Sequence, residues 1–421
     1  MRILIVSQYF WPENFIINDL ALKLSEIGHM VTVATGKPNY PGGTIFPGYR
    51  RAGIQEETYQ GSIRIVRVPL HPRKQGGSVN LIRNYLSFVY QASVHLPIRL
   101  RAEPFDAILV FAVSPITAAI PAVVLKRHKK AHLAIWVQDL WPESLEATGY
   151  VRNPYLLRLV KSMVRWIYRA ADTLLVQSEA FVEVVAACST REKTIVLQNC
   201  APAHIGTAPS LALVDSTLFT GDFNIVFAGN LGRAQNLDTV LRAAEMLAKN
   251  SLTIRFIIAG DGSETDWLKR EIKDRRIPNI VLTGLLDRVT VSALFRRADA
   301  LLVTLGSDAA LNRTIPSKIQ AYLQAAKPIL GALNGEGARV LCEAGAGFTV
   351  ASGDAEGLAR AILNMAKLPA SSRAAFGHRA HAYFLMHYEP EQVARKLVNI
   401  LSSRMHRGTD REKIQGTRDR R

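Results

Sequence analysis

Cysteine is scarce in this sequence, which has three cysteines in 421 residues. Cys188, Cys200 and Cys342 are far apart and odd in number, so they do not form a disulfide framework. Their spacing also excludes a cysteine metal cluster. We therefore expect a protein of a reducing compartment. We also predict no metal site and no cofactor.

The sequence also lacks the usual patterns of secretion and membrane insertion. Its first residues, MRILIVS, are typical of a buried strand and not of a signal peptide, so we expect a cytoplasmic protein. Residues 107–125 contain no charged residue and are numerous enough to span a membrane. Because Pro115 and Pro121 interrupt this stretch, we predict instead a buried strand that ends near Val113 and a helix that begins at Pro115.

Acidic residues are outnumbered, since 35 Asp and Glu accompany 52 Lys and Arg and the net charge is +17. Such an excess favours an anionic partner, which could be nucleic acid, an anionic lipid surface or a negatively charged small substrate. The sequence contains no recognised nucleic-acid-binding motif and no interleaved aromatic platform. We therefore predict no nucleic-acid partner.

One segment, YLLRLVKSMVRWIYRA, carries its basic residues along one side of a predicted helix. These cations are Arg158, Lys161, Arg165 and Arg169. Basic amphipathic helices are typical of proteins that lie on anionic membranes, although an ordinary solvated surface helix has the same pattern. The basic run at residues 126–130 and the largely apolar segment at residues 81–101 favour the membrane. We predict peripheral contact with a membrane surface.

Short apolar runs alternate with helical patterns along nearly the whole chain. RILIVS, a helix that ends at Gly28, and MVTVAT form the first β-α-β unit. The alternation predicts an α/β fold with parallel, doubly wound sheets. It fails in a segment rich in Pro, Gly, Ser, Thr and Ala, after which FNIVFAG begins a second series. We therefore predict two Rossmann-like domains that face each other across a ligand-binding cleft.

The predicted domain boundaries follow from these breaks in the pattern. The N-terminal domain is residues 1–200, and the linker is residues 201–222. The C-terminal domain is residues 223–384. A final helix without a strand of its own is predicted at residues 385–402, and we expect the basic tail at residues 403–421 to be disordered.

Three strand ends of the second domain carry residues suited to a nucleotide. In FAGNLGRAQNL, Gly232 and Arg233 lie between a strand and a helix that begins near Asn236. The backbone amides of such a turn can bind phosphate, although a simple turn has the same glycines. In AGDGSE, Asp261 can bind ribose hydroxyls or cap the next helix. Gly284 ends a third strand, where free backbone groups can pair with a base.

In TIPSKIQAYLQAAKPIL, Lys318 lies in the first turn of a helix that follows Pro316. A cation at a helix N-terminus typically costs about 0.3 to 1 kcal/mol, and the turn that starts at Ser317 contains no acid to offset this cost. A bound anion would make Lys318 favourable. Lys318, Arg233 and Arg313 could converge on the diphosphate of a nucleotide, and the alternative is a solvated surface lysine.

In the first domain, WVQDLWPESLEATG places Asp139 and Trp141 at a strand end. Asp139 can position an acceptor hydroxyl or accept its proton, and it can alternatively cap a turn. The loops SQYFWPENF and TGKPNYPGG are predicted to reach the same edge and to bind an acceptor. Their candidate residues are Trp11, Asn14, Asn39 and Tyr40.

Taken together, these motifs resemble those of a bacterial family-4 glycosyltransferase with the GT-B fold. The N-terminal SQYFWPENFIINDL, the turn FAGNLGRAQNL, AGDGSE and IPSKIQAYLQAAKPIL carry the resemblance, which covers all of the chain except the tail. More narrowly, the chain resembles enzymes that build O-antigen, capsule or colanic-acid repeat units, including N-acetyl-L-fucosamine transferases.

The resemblance implies a nucleotide-sugar donor, expected to be a UDP-sugar, in the C-terminal domain. It implies an acceptor saccharide on polyprenyl diphosphate in the N-terminal domain, at the cytoplasmic face of the inner membrane. It also implies transfer with retention of configuration, no obligatory metal, and a last helix that crosses back to the first domain.

The sequence departs from the family pattern at several positions. Arg313 and Ala321 occupy positions where many members have two glutamates, and Glu336 is a candidate replacement for one of them. The common arginine and lysine of the phosphate turn fall on Asn230 and Gln235. Arg233 is then the nearest cation in that turn.

Two other functions stay open from the sequence. A sugar-nucleotide epimerase of the same two-domain shape would change its donor without any acceptor. A non-catalytic partner in a polysaccharide assembly complex would bind a sugar nucleotide or a membrane and release no nucleoside diphosphate.

Overall fold

The computed structural model describes residues 1–74, 77–147, 153–201 and 214–418, with side chains up to residue 406. The chain forms two compact units. The first unit comprises Met1–Cys200 and the chain from Pro390 onward, and the second comprises Ala201–Glu389. Of the predicted linker at residues 201–222, residues 202–213 lie outside the described ranges. Val214 packs in the core of the second unit.

The first unit contains an eight-stranded sheet with the order β3-β4-β2-β1-β5-β6-β7-β8. Its strands are β1 Arg2–Val6, β2 Met30–Gly36, β3 Gln55–Tyr59, β4 Ile63–Val68, β5 Ala107–Ala112, β6 His132–Val137, β7 Thr173–Val176 and β8 Thr194–Val196. Neighbouring strands are parallel except for β3, which pairs antiparallel with β4 at the edge. Its first six helices are α1 Ile16–Glu26, α2 Ser78–Arg99, α3 Ile120–Lys129, α4 Glu143–Ala147, α5 Pro154–Ala170 and α6 Glu179–Cys188.

The central strands of this sheet are buried on both faces, which explains their continuous apolar sequences. All six residues of β5, AILVFA, are buried. One face of the sheet packs against α2, α3, α5 and α6. The opposite face packs against α1 and the last helix of the chain.

The second unit contains a six-stranded parallel sheet with the order β11-β10-β9-β12-β13-β14. Its strands are β9 Phe223–Ala228, β10 Ile254–Ala259, β11 Ile280–Gly284, β12 Ala300–Thr304, β13 Ile329–Ala332 and β14 Gly347–Val350. Its helices are α7 Leu237–Leu247, α8 Thr265–Asp274, α9 Arg288–Arg297, α10 Ala309–Arg313, α11 Ser317–Gln324, α12 Gly335–Glu343, α13 Ala355–Lys367 and α14 Ala370–His387. The strand order reverses between β9 and β12, and such switch points form crevices at the carboxyl ends of strands.

The chain ends in α15, Pro390–Arg418, which belongs to the first unit and packs on α1. Val393, Ala394 and Leu397 are buried in the core on that side of the sheet. The prediction of a single helix at residues 385–402 is wrong in its bounds, because α14 continues to His387 and a new helix begins at Pro390. The prediction of disorder from residue 403 is also wrong as far as Arg418, because α15 continues through these residues.

The predicted α/β class with two Rossmann-like parallel sheets is confirmed. The stretch at residues 107–125 forms β5, a short 3-10 turn at Ile116–Ala119 and the start of α3, as predicted in place of a membrane span. Within the described residues, no helix is both long and apolar enough to cross a bilayer. The sequence patterns missed β3 and β14.

Candidate functional site

In the second unit, β9 and β10 are each followed by a glycine, and the backbones of the two glycines touch. Gly229 has φ 137° and Gly260 has φ 145°. A Cβ atom on Gly260 would lie 1.9 Å from the Gly229 carbonyl oxygen, so only glycine fits there. A Cβ atom on Gly229 would lie 2.6 Å from Cε of Lys318. The lysine side chain therefore passes directly over the glycine turn.

Lys318 is half-buried and lacks an acidic partner. Its Nζ donates a hydrogen bond to Oε1 of Gln235 and lies 3.6 Å from the ring centroid of Phe227. Within the described part of the chain, no carboxylate lies within ion-pair distance of it. Burial lowers the pKa of Lys318 to about 7. A bound anion would restore the charged form.

Two helices begin beside this turn without a side-chain cap. Asn236 precedes α7 with φ 49°, and Pro316 precedes α11, but neither helix has a capping side chain. The first backbone N–H groups of both helices therefore carry their usual partial positive charge without a side-chain acceptor. Ser317, at the first position of α11, is exposed. The arrangement suits an oxyanion, and phosphate is the best-matched group.

Several residues predicted to share this site have other partners. The Arg233 side chain is 92% exposed and pairs with Glu264 at 3.4 Å, and its convergence with Lys318 on one anion stays a prediction. Asp261 accepts hydrogen bonds from Oγ1 of Thr265 and from the Gly262 N–H, which hold its pKa below its usual range. These contacts are local to the turn before α8 and do not cap that helix, which has no capping side chain, so the role of Asp261 toward ribose stays a prediction.

The remaining glycines of this edge shape the backbone. Gly232 precedes a short 3-10 turn at Arg233–Gln235. Gly284 has φ 75°, and its carbonyl oxygen accepts a hydrogen bond of 2.8 Å from the Gly260 N–H. The hydrogen bond joins the ends of β10 and β11. The Gly260 backbone in turn contacts the glycine turn after β9.

Glu336 lies beside the start of α11 but already has an ionic partner. It is buried in the first turn of α12 and accepts a 2.7 Å hydrogen bond from Nη2 of Arg339. A Cβ atom on Gly337 would lie 3.2 Å from Cδ of Pro316, which shows how closely α12 approaches α11. Ala321 packs against the core of the unit.

In the first unit, Asp139 and Trp141 are both tied to the loop that follows β5. Oδ2 of Asp139 accepts a 2.9 Å hydrogen bond from the Ser114 N–H. Nε1 of Trp141 donates to Oγ of Ser114 at 3.1 Å. One carboxylate oxygen of Asp139 therefore stabilises a turn. This contact fits the alternative prediction that Asp139 caps a turn.

The two loops predicted to bind an acceptor are joined by Glu13, which the sequence patterns did not single out. Oε1 of this buried residue accepts hydrogen bonds of 2.8 Å from the N–H groups of Asn39 and Tyr40. Oε2 accepts a 3.3 Å hydrogen bond from the Phe10 N–H. Burial raises the pKa of Glu13 to about 7.

The candidate acceptor residues divide into exposed and buried ones. Trp11 and Tyr40 are 38% and 40% exposed, and Asn14 is also exposed. Asn39 is completely buried, and its side chain bonds the Lys37 carbonyl oxygen and the Arg73 N–H. Asn39 thus holds the loop together and presents no group to solvent.

Replacing Glu13 by glutamine should change how stability depends on pH. Because the folded pKa is raised above its ordinary value of 4.5, the stability that Glu13 contributes is fully present below that value and is lost as pH rises through about 7. Glutamine does not titrate. The melting temperature of the unmodified protein relative to Glu13→Gln should therefore fall between pH 5 and pH 8.

Thermal unfolding of both proteins across this pH range measures the effect. Glu26→Gln is the matched control, because Glu26 lies partly in solvent beside Lys23. A constant difference between the unmodified protein and Glu13→Gln would contradict the assignment of a buried, titrating Glu13.

Two family models match the chain, one in each half. The model described as "Glycosyl transferase 4-like domain" matches residues 14–200. The model described as "Glycosyl transferases group 1" matches residues 213–383. Together they account for both compact units.

Two curated relatives carry glycosyltransferase names. WbjE of Pseudomonas aeruginosa is 26% identical over 56% of this chain and 60% of WbjE, so the match spans less than two thirds of that protein. WcaI of Escherichia coli, named for colanic acid biosynthesis, is 23% identical over 77% of this chain and 81% of WcaI.

Solved structures share the fold at low identity. Sucrose-phosphate synthase from Thermosynechococcus elongatus has a TM-score of 0.69 at 13% identity, with 96% of this chain and 98% of that chain covered. HepE from Anabaena, solved with UDP and glucose, has a TM-score of 0.62 at 16% identity, with coverage of 96% and 100%.

Proposed function

Because the chain belongs to the family-4 glycosyltransferases with the GT-B fold, we propose that it transfers a sugar, with retention, from a UDP-sugar to a polyprenyl-diphosphate-linked saccharide. This transfer is a step in surface polysaccharide synthesis. The name of WcaI supports the polysaccharide assignment. The UDP bound in HepE supports the choice of donor.

The environment of Lys318 carries the donor assignment. A half-buried lysine, to which the described residues give no carboxylate partner, lies over a glycine turn and beside two uncapped helix starts. A diphosphate supplies two negative charges or more, which matches one lysine and two helix N-termini.

Lys318 and the helix starts would act chiefly on the departing diphosphate. As the bond between the anomeric carbon and the β-phosphate oxygen breaks, negative charge grows on the phosphate, and preorganised positive groups stabilise it. The acceptor hydroxyl attacks the anomeric carbon from the same face, and its proton passes to the departing phosphate. We favour phosphate over Asp139 as the base, because Asp139 already holds the Ser114 N–H.

The first unit offers aromatic surfaces to an acceptor saccharide. Trp11 and Tyr40 are partly exposed on two loops that Glu13 joins. Trp141 is partly buried in the loop that follows β6. Aromatic rings bury the apolar faces of sugars, and Asn14 adds a hydrogen-bonding group. Arg313 and Ala321 occupy positions where many relatives carry acids, and we assign Glu336 to the donor sugar in place of one of them.

Helix α5 supports a peripheral membrane location. Arg158, Lys161, Arg165 and Arg169 are all exposed in the structure. Tyr155 and Leu159 are exposed on the same helix, while Val164 and Ile167 anchor it in the core. Basic and apolar side chains together favour the headgroup region of an anionic bilayer at the cytoplasmic face of the inner membrane.

An acceptor-dependent assay tests the proposed function. The purified protein is incubated with UDP-, GDP- or dTDP-sugars, with and without lipid-linked saccharide. We expect release of UDP only when both substrates are present, and NMR of the product should show the anomeric configuration of the donor. A changed donor sugar without acceptor would instead indicate an epimerase, and binding without release would indicate a non-catalytic protein.

A further inference from the structure

Helix α2 is apolar on two opposite sides. One side, which includes Phe88, Ala92 and Leu96, is buried in the core of the first unit. The opposite side points to solvent and repeats at three- and four-residue intervals. Its six side chains, between 42% and 71% exposed, are Val79, Ile82, Leu86, Tyr90, Val94 and Ile98. We call this set the α2 stripe.

The α2 stripe is unusual for a solvated helix. Surface helices normally carry polar residues opposite the core, and scattered exposed apolar residues need no explanation. Here they form a continuous row about 28 Å long, from the helical rise of about 1.5 Å per residue. A contiguous apolar surface of this kind is typical of a site that contacts a membrane or another protein.

The helix that carries the α2 stripe is basic, although Nε of Arg99 near its end forms an ion pair with Glu56 of β3. The helix itself contains Arg83 and Arg99 and no acidic residue. At its end, Nζ of Lys129 donates hydrogen bonds to the carbonyl oxygens of Arg101 and Glu103, which fixes the basic end of α3 next to α2. Helix α5, with its four exposed cations, packs beside α3 on the same face of the sheet.

A recess adjoins the stripe and is also basic. It has a volume of about 740 Å³, and α2 contributes Ser87, Gln91 and His95 to its lining. Arg51, Lys74 and His71 line the rest of its polar surface, and the described residues of its lining include no acid. Nε2 of His71 is buried in the described structure without a hydrogen-bond partner. A phosphate oxygen would accept a hydrogen bond from Nε2 when the ring proton is on that nitrogen.

We propose that the α2 stripe is a membrane-docking surface that inserts its apolar side chains among the lipids of an anionic bilayer, with the adjoining recess receiving a headgroup phosphate. A second copy of the chain fits less well, because it would bring Arg83 of each copy to an interface whose helices carry no acidic residue, whereas an anionic bilayer offers phosphate to this arginine. This proposal rests on the proposed function and deepens it. Docking through the α2 stripe would bring the enzyme to the bilayer that holds a lipid-linked acceptor.

Vesicle co-sedimentation of the full-length protein tests the proposal. The vesicles are phosphatidylcholine alone or equal parts of phosphatidylcholine and phosphatidylglycerol. We expect the unmodified protein to bind the anionic vesicles, and Leu86→Glu/Tyr90→Glu to bind them at least tenfold more weakly. Arg51→Ala/Lys74→Ala should still bind both kinds of vesicle weakly, and it should lose most of the preference for the anionic vesicles.

The matched control is Leu285→Glu/Met386→Glu, which places the same charges at exposed apolar positions of the second unit. This control should bind as the unmodified protein does. Equal binding by Leu86→Glu/Tyr90→Glu, with its circular dichroism and melting temperature unchanged, would overturn the proposal. A dimer in gel filtration that the same variant dissociates would also overturn it, in favour of a second copy.

The proposal and the proposed function fail in different ways. Leu86→Glu/Tyr90→Glu should transfer sugar to a detergent-dispersed acceptor at the normal rate, so loss of docking alone leaves the chemistry intact. Arg158→Glu/Arg165→Glu measures the contribution of α5 separately. If the unmodified protein docks on vesicles but transfers no sugar with any donor, the proposed function fails and the docking surface stands.

Discussion

Lys318→Ala is expected to lower the turnover number about 100-fold, and at least tenfold, in the acceptor-dependent assay. Removing one preorganised donor to a developing oxyanion typically costs about 10²- to 10³-fold in rate. Lys318 is the only cation that the described structure places over the glycine turn. Its loss leaves the helix N-termini alone to stabilise the departing diphosphate. Steady-state kinetics with saturating donor and acceptor measure the effect.

The fold of this variant should remain intact. Burial penalises the charged form of Lys318, so its replacement removes an unfavourable group and not a stabilising ion pair. The melting temperature should therefore be unchanged or higher. Lys269→Ala is the matched control, since Lys269 is an exposed lysine of α8 in the same unit. Normal turnover of Lys318→Ala, or an equal loss in Lys269→Ala, would remove the site assignment.

Gly260→Ala is expected to destabilise the second unit by about 3 kcal/mol, within the range that backbone clashes produce. The new Cβ atom would lie 1.9 Å from the Gly229 carbonyl oxygen, and the residue would keep a φ of 145° that side chains rarely adopt. Both strands are central, so neither backbone can retreat without breaking its pairing. The loss of stability is measured as a lower urea concentration at the midpoint of the unfolding transition of the second unit.

A second glycine separates the clash from the backbone strain. Gly353 has φ 84°, and a Cβ atom there would contact only Nδ2 of Asn236, at 3.8 Å. Gly353→Ala should therefore cost about 1 kcal/mol, the strain of a left-handed alanine alone. Similar midpoints for the two variants would show that the turn relaxes and that the contact between β9 and β10 is not obligatory.

The strand and helix order was predictable because the hydrophobic pattern is strong in buried parallel strands. β5 and the Pro316 helix start illustrate this. β3, with the sequence QEETY, was missed because an edge strand with an exposed face alternates charged and polar residues. β14 was missed because it has only four residues, all partly exposed, and is too short to show a hydrophobic pattern. α15 was misjudged from residue 403 onward because the tail is rich in charge.

The site was predictable only in part, since side-chain partners depend on tertiary packing. Lys318 stood out because a cation at a helix start conflicts with a local rule, and such conflicts concentrate at functional sites. Arg233 and Asp261 fit local rules equally well as site residues or as surface and capping residues, and the structure gives them Glu264 and Thr265. Glu13 was missed because nothing in WPEN reveals that two loops bury its carboxylate.

The most direct test of the central claim is the number of protons taken up when UDP binds. Free Lys318 has a pKa of about 7 and is mostly neutral at pH 8. A bound diphosphate raises that pKa, so binding at pH 8 should draw a proton from solution, and UDP affinity should fall as pH rises above about 7. Titration calorimetry in two buffers of different ionisation enthalpy measures this uptake. We predict an uptake at pH 8 that approaches one proton per UDP and that disappears in Lys318→Met. Equal uptake by the variant, or no binding of any nucleoside diphosphate, would contradict it.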